Sequence, residues 1–142
     1  MDNNSCVYVA GHKGLVGSAV VRNLTSKGFT NILTADRKEL DLLNQAAVND
    51  YFKDNKIDYV IIAAAKVGGI MFNKNFQADF LYENLIISAN IIKAAADSNV
   101  KKLLNLGSSC IYPKMSKQPI KESELLSGPL EPTNEGLSLI HI

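Results

Sequence analysis

Up to about Gly107 the chain alternates short apolar runs with longer stretches in which apolar residues return at helical spacing. Cys6–Ala10 (CVYVA) is a β-leaning run that stops at Gly11, and Leu15, Val16, Ala19, Val20 and Leu24 then mark one face of a helix. Gly28 stands where that helix would be capped, and Ile32–Ala35 predicts a second strand ending at Asp36-Arg37. Asn44 is placed to cap a helix carrying Val48, Tyr51 and Phe52, after which Tyr59–Ala65 (YVIIAAA) has the unbroken apolar character of a strand covered on both faces. A long helix is predicted from Gln77 to Ser98, with Leu81, Leu85, Ser88 and Ile92 on one stripe, and a last strand from Val100 to Leu106. Strands alternating with helices predict right-handed βαβ units and hence an α/β fold with a doubly wound parallel sheet. Beyond Pro113 the sequence turns polar, and Pro119, Gly128, Pro129 and Pro132 predict loop or a surface-hugging lid.

At 142 residues the chain has room for one domain with a real core. Its 15 Lys and Arg against 14 Asp and Glu leave a net charge of +1, which offers no broad attraction for nucleic acid or an anionic membrane. The opening MDNNSCVYVAG lacks the basic and apolar regions of a signal peptide, and no stretch reaches membrane-spanning length, so a cytoplasmic protein is expected. Cys6 and Cys110 are far apart and match no metal-ligand spacing, so free thiols and no metal are expected.

Candidate chemistry begins at Gly11-His12-Lys13-Gly14-Leu15-Val16-Gly17, a G-x-x-G-x-x-G pattern between a strand and a helix. Glycines there let backbone approach a pyrophosphate held by helix N-terminal N–H groups, the arrangement of a Rossmann NAD(P) site. The bland alternative is a tight turn that binds nothing, and His12 reads as a solvent-facing loop residue. About 20 residues on, where such folds meet the adenosine ribose, stands Asp36-Arg37-Lys38. Asp36 suits the 2′-hydroxyl of NAD, whereas Arg37 and Lys38, joined by Lys13 from the glycine loop, suit a 2′-phosphate. Three cations against one carboxylate favour NADP; the alternative is that all three are solvated surface charges, which is the preferred reading for Lys38. Asp41-Leu42 is a candidate for the adenine edge, or else a short strand end. Ala63-Ala64-Ala65 provides small side chains against which a dinucleotide can lie, followed by a loop at Lys66–Gly69. Leu106-Gly107-Ser108-Ser109 ends the last strand on the same carboxyl edge, where hydroxyls would face the nicotinamide. Cys110, by composition alone, reads as a structural thiol.

Gly11–Gly17, AAAKVGGI (Ala63–Ile70), LGSSCIYPK (Leu106–Lys114), KQP (Lys117–Pro119) and EPTNE (Glu131–Glu135) together resemble the N-terminal half of the GDP-L-fucose synthases, a group of the extended short-chain dehydrogenase/reductase family. The resemblance implies NADPH-dependent 3,5-epimerisation and 4-reduction of the nucleotide sugar GDP-4-keto-6-deoxy-D-mannose, and a homodimer for the full-length enzymes. It implies that Ser108 hydrogen-bonds the 4-keto oxygen, that Cys110 protonates carbon during epimerisation, and that Arg37 and Lys13 meet the NADP phosphate. A thiol suits that step because its pKa is tunable near neutrality. In the family EPTNE is followed by Pro-Tyr-x-x-x-Lys, whereas here Leu137 and His141 occupy the Tyr and Lys positions. Residues 1–135 are thus expected to be an incomplete NADP-binding domain, and 136–142 an atypical tail of a truncated, frameshifted or chimeric reading frame. Two alternatives stand beside it: a non-catalytic NADP-binding module, and a fragment that does not fold stably because its long helix from Gln77 leaves an apolar face exposed.

Overall fold

The computed structural model describes residues 1–68, 71 and 75–134. Gly69 and Ile70 of the alanine run, Glu135, and the tail 136–142 with Leu137 and His141 lie outside the described residues. Two compact units are present: Met1–Ala65 with Ile86–Leu106, and Lys66–Leu85 with Gly107–Ile142.

The elements run β1 (Val7–Ala10), α1 (Leu15–Ser26), β2 (Ile32–Leu33), α2 (Gln45–Asp54), β3 (Tyr59–Ile62), α3 (Gln77–Asp97) and β4 (Lys102–Asn105). In the first unit the strands form a four-stranded parallel sheet in the order β2-β1-β3-β4. Val7 stands opposite Ile32 on one side and Tyr59 on the other, so chain order reverses direction at β1 and β3. β1 is buried throughout, and its alternating side chains feed two cores. Val7 and Val9 pack with Leu24, Val20 and Val21 of α1. Cys6, Tyr8 and Ala10 face the other way, onto Val48 and Phe52 of α2 and Ile91, Ala94 and Ala95 of α3. Helices therefore cover both faces, the doubly wound arrangement that the alternating pattern predicts.

The strands are shorter than their apolar runs. β2 pairs only through Ile32 and Leu33, because beyond them the chain turns at Asp36. β3 stops at Ile62, although Ala63 N–H still donates to Ala10 O at 2.9 Å. Asn44 caps α2 as expected, its Oδ1 accepting from Ala47 N–H at 3.1 Å.

Two helix faces differ from the sequence expectation. On α1 the inward positions are Gly17, Val20, Val21 and Leu24, while Leu15 is 90 % exposed and Val16 and Ala19 also face solvent. Gly17 is the cause: it sits on the backbone of Gly11, and that contact fixes the rotation of the helix. On α3 the buried positions are Phe80 and Asn84 in the second unit and Asn90, Ile91, Ala94 and Ala95 in the first. Leu85 and Ile92 are each 45 % exposed, and Leu81 and Ser88 are half-buried. The true stripe contains two asparagines whose amides satisfy buried backbone groups, so a search for apolar positions alone selects the neighbouring stripe.

Asp58 ties together the amino ends of three strands. Its Oδ2 accepts from Cys6 N–H at 2.9 Å and its Oδ1 pairs with Lys101 Nζ at 2.7 Å. Its backbone N–H donates to Cys6 O and its carbonyl accepts from Lys101 N–H, each at 2.9 Å.

In the second unit Ser109–Ile111, Glu122–Glu124 and Pro132–Asn134 form single 3-10 turns. Pro113 is buried, Lys114 N–H donates to Pro129 O at 3.0 Å, and Lys114 Nζ pairs with Glu131 at 2.9 Å. The segment after Pro113 is the loop that its prolines predict.

Phe52 is 2 % exposed and meets Tyr8 edge-on at 5.8 Å between ring centroids. Phe52→Ala is expected to cost about 3–5 kcal/mol in urea unfolding, whereas Tyr82→Ala, at a position 66 % exposed, should stay within about 0.5 kcal/mol. The Lys101 ammonium and the Cys6 N–H hold the Asp58 carboxyl below its ordinary value. A depressed carboxyl stabilises the fold above its unfolded pKa, about 4, and that contribution fades as pH falls through the folded value. The Tm difference between the unmodified chain and Asp58→Ala should accordingly shrink between pH 7 and pH 3 in thermal melts.

Candidate functional site

The carboxyl end of β1 leads into the glycine turn. Gly11 has φ +83°, and a Cβ there would lie 2.6 Å from Ala64 N and 2.7 Å from the Ala63 carbonyl atoms. A Cβ on Gly17 would lie 2.1 Å from Gly11 O and 3.0 Å from His12 Cα. Neither position accepts another residue without moving backbone, so the first and last glycines of the pattern are required by packing. Gly14 N–H donates to Gly11 O at 3.0 Å and closes the turn.

Gly14 is also the N-cap of α1, and it supplies no side-chain acceptor; the first turn carries no acidic residue. The leading N–H groups of α1 are thus left without a side-chain cap, with exposed Leu15 and Val16 beside them. Such a helix end has the donors and the dipole to hold an anion. His12 is half-buried, so it faces solvent only in part.

Lys13 reaches from this turn to the end of β2, where its Nζ lies 2.7 Å from Asp36 Oδ2. Asp36 Oδ1 accepts from Lys38 N–H at 2.8 Å and Glu39 N–H at 3.1 Å, and Glu39 Oε2 accepts from Asp36 N–H at 2.7 Å. The Lys13 ammonium and these two N–H groups lower the Asp36 carboxyl to about 2, so it is ionised at any physiological pH. The closed turn presents Arg37 and Lys38 to solvent, and among the described residues neither side chain has an ion-pair partner. Asp41 is exposed and its Oδ1 accepts from Leu43 N–H at 3.1 Å, forming a turn before α2, not a strand end. Leu42 packs on the core and its carbonyl accepts from Asn90 Nδ2 at 2.9 Å.

Ala63 and Ala64 are half-buried and border Gly11, whereas Ala65 is exposed. The structure therefore brings all of these into the first unit: the glycine turn and the alanines at the point of the sheet where strand order reverses, between β1 and β3, and Asp36 and Arg37 just past the neighbouring edge strand β2, to which Lys13 reaches. Open α/β sheets bind ligands at such a reversal point. Leu106 also belongs to this unit, and its N–H donates to Ile62 O at 3.1 Å.

Gly107, Ser108, Ser109 and Cys110 belong to the second unit. Ser108 caps the 3-10 turn that follows it, its Oγ accepting from Cys110 N–H at 3.2 Å. Bound in this way the hydroxyl still has its own proton to donate. Ser109 is exposed and Cys110 half-buried, while Cys6 is a buried free thiol.

Sequence reasoning missed Asn84, which is 5 % exposed. Its Oδ1 accepts from Lys66 N–H at 2.7 Å, while its Nδ2 donates to Lys66 O at 3.0 Å and to Phe80 O at 2.9 Å. The amide thereby grips both backbone groups of Lys66, whose ammonium pairs with Glu83 and lies 5.6 Å over the Phe80 ring. The available signal was an asparagine inside an otherwise apolar helix, where only a partnered amide is tolerated. Among the described residues no cluster of His, Cys, Asp and Glu could hold a metal, and no helix is long and apolar enough to cross a membrane.

Comparison with known proteins agrees with this geometry. The GDP-L-fucose synthase of Escherichia coli K12 is 54 % identical over 136 residues, which is 96 % of this chain but 42 % of that protein. The NADP-bound structure of MlghC, a GDP-mannoheptose C4 reductase from Campylobacter jejuni, matches with a TM-score of 0.93 at 44 % identity, over 99 % of this chain and 44 % of that one. A GDP-L-fucose synthetase from Naegleria fowleri, solved bound to NADP, matches with a TM-score of 0.86 at 29 % identity, over 99 % of this chain and 42 % of that one. The chain thus spans less than half the length of the relatives it matches. The profile of the NAD dependent epimerase/dehydratase family covers residues 7–136, and with that match over a doubly wound sheet and an uncapped glycine turn, the chain belongs to this family.

Proposed function

We propose that the chain is the dinucleotide-binding part of an NADPH-dependent GDP-4-keto-6-deoxy-D-mannose 3,5-epimerase/4-reductase that makes GDP-L-fucose. The observation that carries this reading is the glycine turn. A Cβ at Gly11 or Gly17 would strike backbone at 2.7 Å or less, and the helix end behind the turn has no cap of its own. That cradle fits a pyrophosphate. The 54 % identity to the Escherichia coli GDP-L-fucose synthase supports the substrate class.

In this reading the backbone of Gly11–Gly17 holds the pyrophosphate, with Leu15 and Val16 offering N–H groups. Lys13 and Arg37 meet the 2′-phosphate, a contact that favours NADP because guanidinium and phosphate pair through charge-assisted hydrogen bonds. Asp41 and Leu42 border the adenine, Ala63–Ala65 let the dinucleotide lie against the sheet, and Leu106, Gly107 and Ser109 flank the nicotinamide. NADPH, when bound, supplies the hydride for the 4-keto carbon. Ser108 donates its proton in a hydrogen bond to the 4-keto oxygen and stabilises the charge that develops there. Once a base has taken the ring C–H proton and left an enolate, Cys110 delivers its thiol proton to the opposite face of that carbon, leaving a thiolate. The reading carries with it a cytoplasmic location and a homodimeric full-length enzyme.

Leu137 and His141 occupy the Tyr and Lys positions of the family motif, so we further propose that residues 1–135 form an NADP-binding domain that binds the dinucleotide without completing reduction. Joining residues 1–135 to the C-terminal portion of the Escherichia coli relative should restore GDP-L-fucose formation from the keto sugar and NADPH. In that chimera Ser108→Ala should lower kcat about 100-fold or more. Cys110→Ser should sharply lower the yield of sugar with inverted ring configuration, read by NMR of the product. A chimera that binds NADPH but converts no keto sugar refutes the substrate assignment. On the unextended chain, Arg37→Ala should weaken NADPH binding about tenfold in a fluorescence titration while leaving NADH nearly unchanged.

A further inference from the structure

The sheet of the first unit has two edges of different character. At one, β2 pairs through only Ile32 and Leu33 before the chain turns at Asp36. At the other, β4 pairs with β3 along its whole length, and among the described residues no strand lies on its far side. The ladder decides which backbone groups of β4 face that side. Tyr59 and Ala63 send their N–H groups to Cys6 O and Ala10 O, so the alternate residues Val60 and Ile62 serve β4. Leu106 N–H donates to Ile62 O at 3.1 Å, and with Ile62 opposite Asn105 this assigns the backbone groups of Lys102 and Leu104 to β3. Leu103 and Asn105 therefore point theirs outward, and neither has a backbone partner outside the sheet among the described residues. The edge carries no proline. Leu103 packs on the core beneath α2 and α3, so Leu104 stands on the opposite face, where it is 51 % exposed.

We propose that this edge is a docking surface for a second copy of the chain, joined through antiparallel β4 strands about a two-fold axis at Leu104. Such an axis, normal to the sheet, sets Leu103 opposite Asn105 of the second copy and Asn105 opposite its Leu103. Every outward N–H of the two strands then meets an outward C=O. Leu104 falls opposite itself at the non-hydrogen-bonded position, where side chains come closest, so each exposed leucine covers the other. Other registers lose bonds. An axis at Leu103 sets Asn105 opposite Lys101, whose N–H is already held by Asp58 O, and an axis at Asn105 sets Leu103 opposite Gly107, beyond the strand. Charge does not oppose the pairing: Lys102 falls opposite Leu106 of the second copy, so the two lysines stand about 13 Å apart along the ladder, beyond the screening length of about 8 Å at physiological salt. Because the short β2 offers no comparable edge, pairing at β4 uses up the surface, and the assembly closes at two copies without growing into a fibre. This inference is independent of the cofactor reading.

The test is sedimentation velocity and amide hydrogen exchange of the whole 142-residue chain over a range of protein concentrations. A reversible monomer–dimer equilibrium is expected, with exchange at the Leu103 and Asn105 amides slowing about tenfold or more as the dimer forms. The Lys102 and Leu104 amides, already bonded to β3, should change less. A chain that stays monomeric throughout, or that dimerises with no slowing at Leu103 and Asn105, overturns the inference. Leu104→Lys places two ammonium groups at the closest pair and should raise the dimer dissociation constant about tenfold. Asn105→Pro deletes an outward N–H that the chain itself does not use, a replacement that an edge strand accepts, and should raise the constant by a similar factor. Should either variant melt below the assay temperature, the exchange data on the unmodified chain decide. Ile92→Lys, on the exposed side of α3, should leave the dimer intact. If it dissociates the dimer while Leu104→Lys does not, the helix is the docking surface and the inference fails. A chain that dimerises only after removal of residues 136–142 fills the edge with its own tail, which also overturns it.

Discussion

The first unit depends on one backbone approach, that of Gly17 in α1 to the carbonyl of Gly11, at which a Cβ would stand 2.1 Å away. This contact sets how far α1 penetrates toward the end of β1, which of its residues turn inward, and where its uncapped N–H groups end up. Gly11 is pressed from the other side by Ala63 and Ala64, so the ends of β1 and β3 meet the start of α1 with almost no side-chain volume between them. A helix dipole and N–H groups without a side-chain cap are thereby brought to the reversal point of the sheet. The geometry that makes the turn intolerant of side chains is the same geometry on which the proposed phosphate site rests.

Around that contact the chain is held by polar side chains that serve backbone groups. Asp58 bonds Cys6 and Lys101 at the amino ends of the strands. Asn90 supports the carbonyl of Leu42 within the first unit, and Asn84 grips Lys66 within the second. Each removes a buried donor or acceptor that would otherwise cost free energy. Asp36 belongs to the same class, since it closes its own turn while holding Lys13. A carboxylate at this point of a dinucleotide fold suggests a ribose contact from position alone, and here most of its hydrogen-bonding capacity is taken up by the protein.

The parallel sheet, the two-sided core and the glycine turn were legible because they are written in local spacing. β1 alternates between two cores, α2 follows an asparagine cap, and a glycine pattern falls between strand and helix. What escaped was non-local. Leu15 and Val16 read as core positions by helical spacing, and only the depth of Gly17 against Gly11 shows why they face solvent. The buried stripe of α3 was displaced by one residue because Asn84 and Asn90 belong to it, and nothing nearby in sequence announces the backbone groups they serve. The role of Ser108 as cap of its own turn follows from a contact only two residues long, yet the serine-rich strand end suggested chemistry before structure. Proposed catalysis adds to that structural task without replacing it.

The most direct measurement is a ¹H–¹⁵N NMR titration of the chain with NADPH, recording amide shifts residue by residue. The account predicts that the largest saturable changes fall on the amides of Lys13–Gly17, with a second group at Arg37 and Lys38. Saturable binding that leaves the amides of 13–17 unmoved would contradict it, because the uncapped end of α1 would then not be where the phosphates sit.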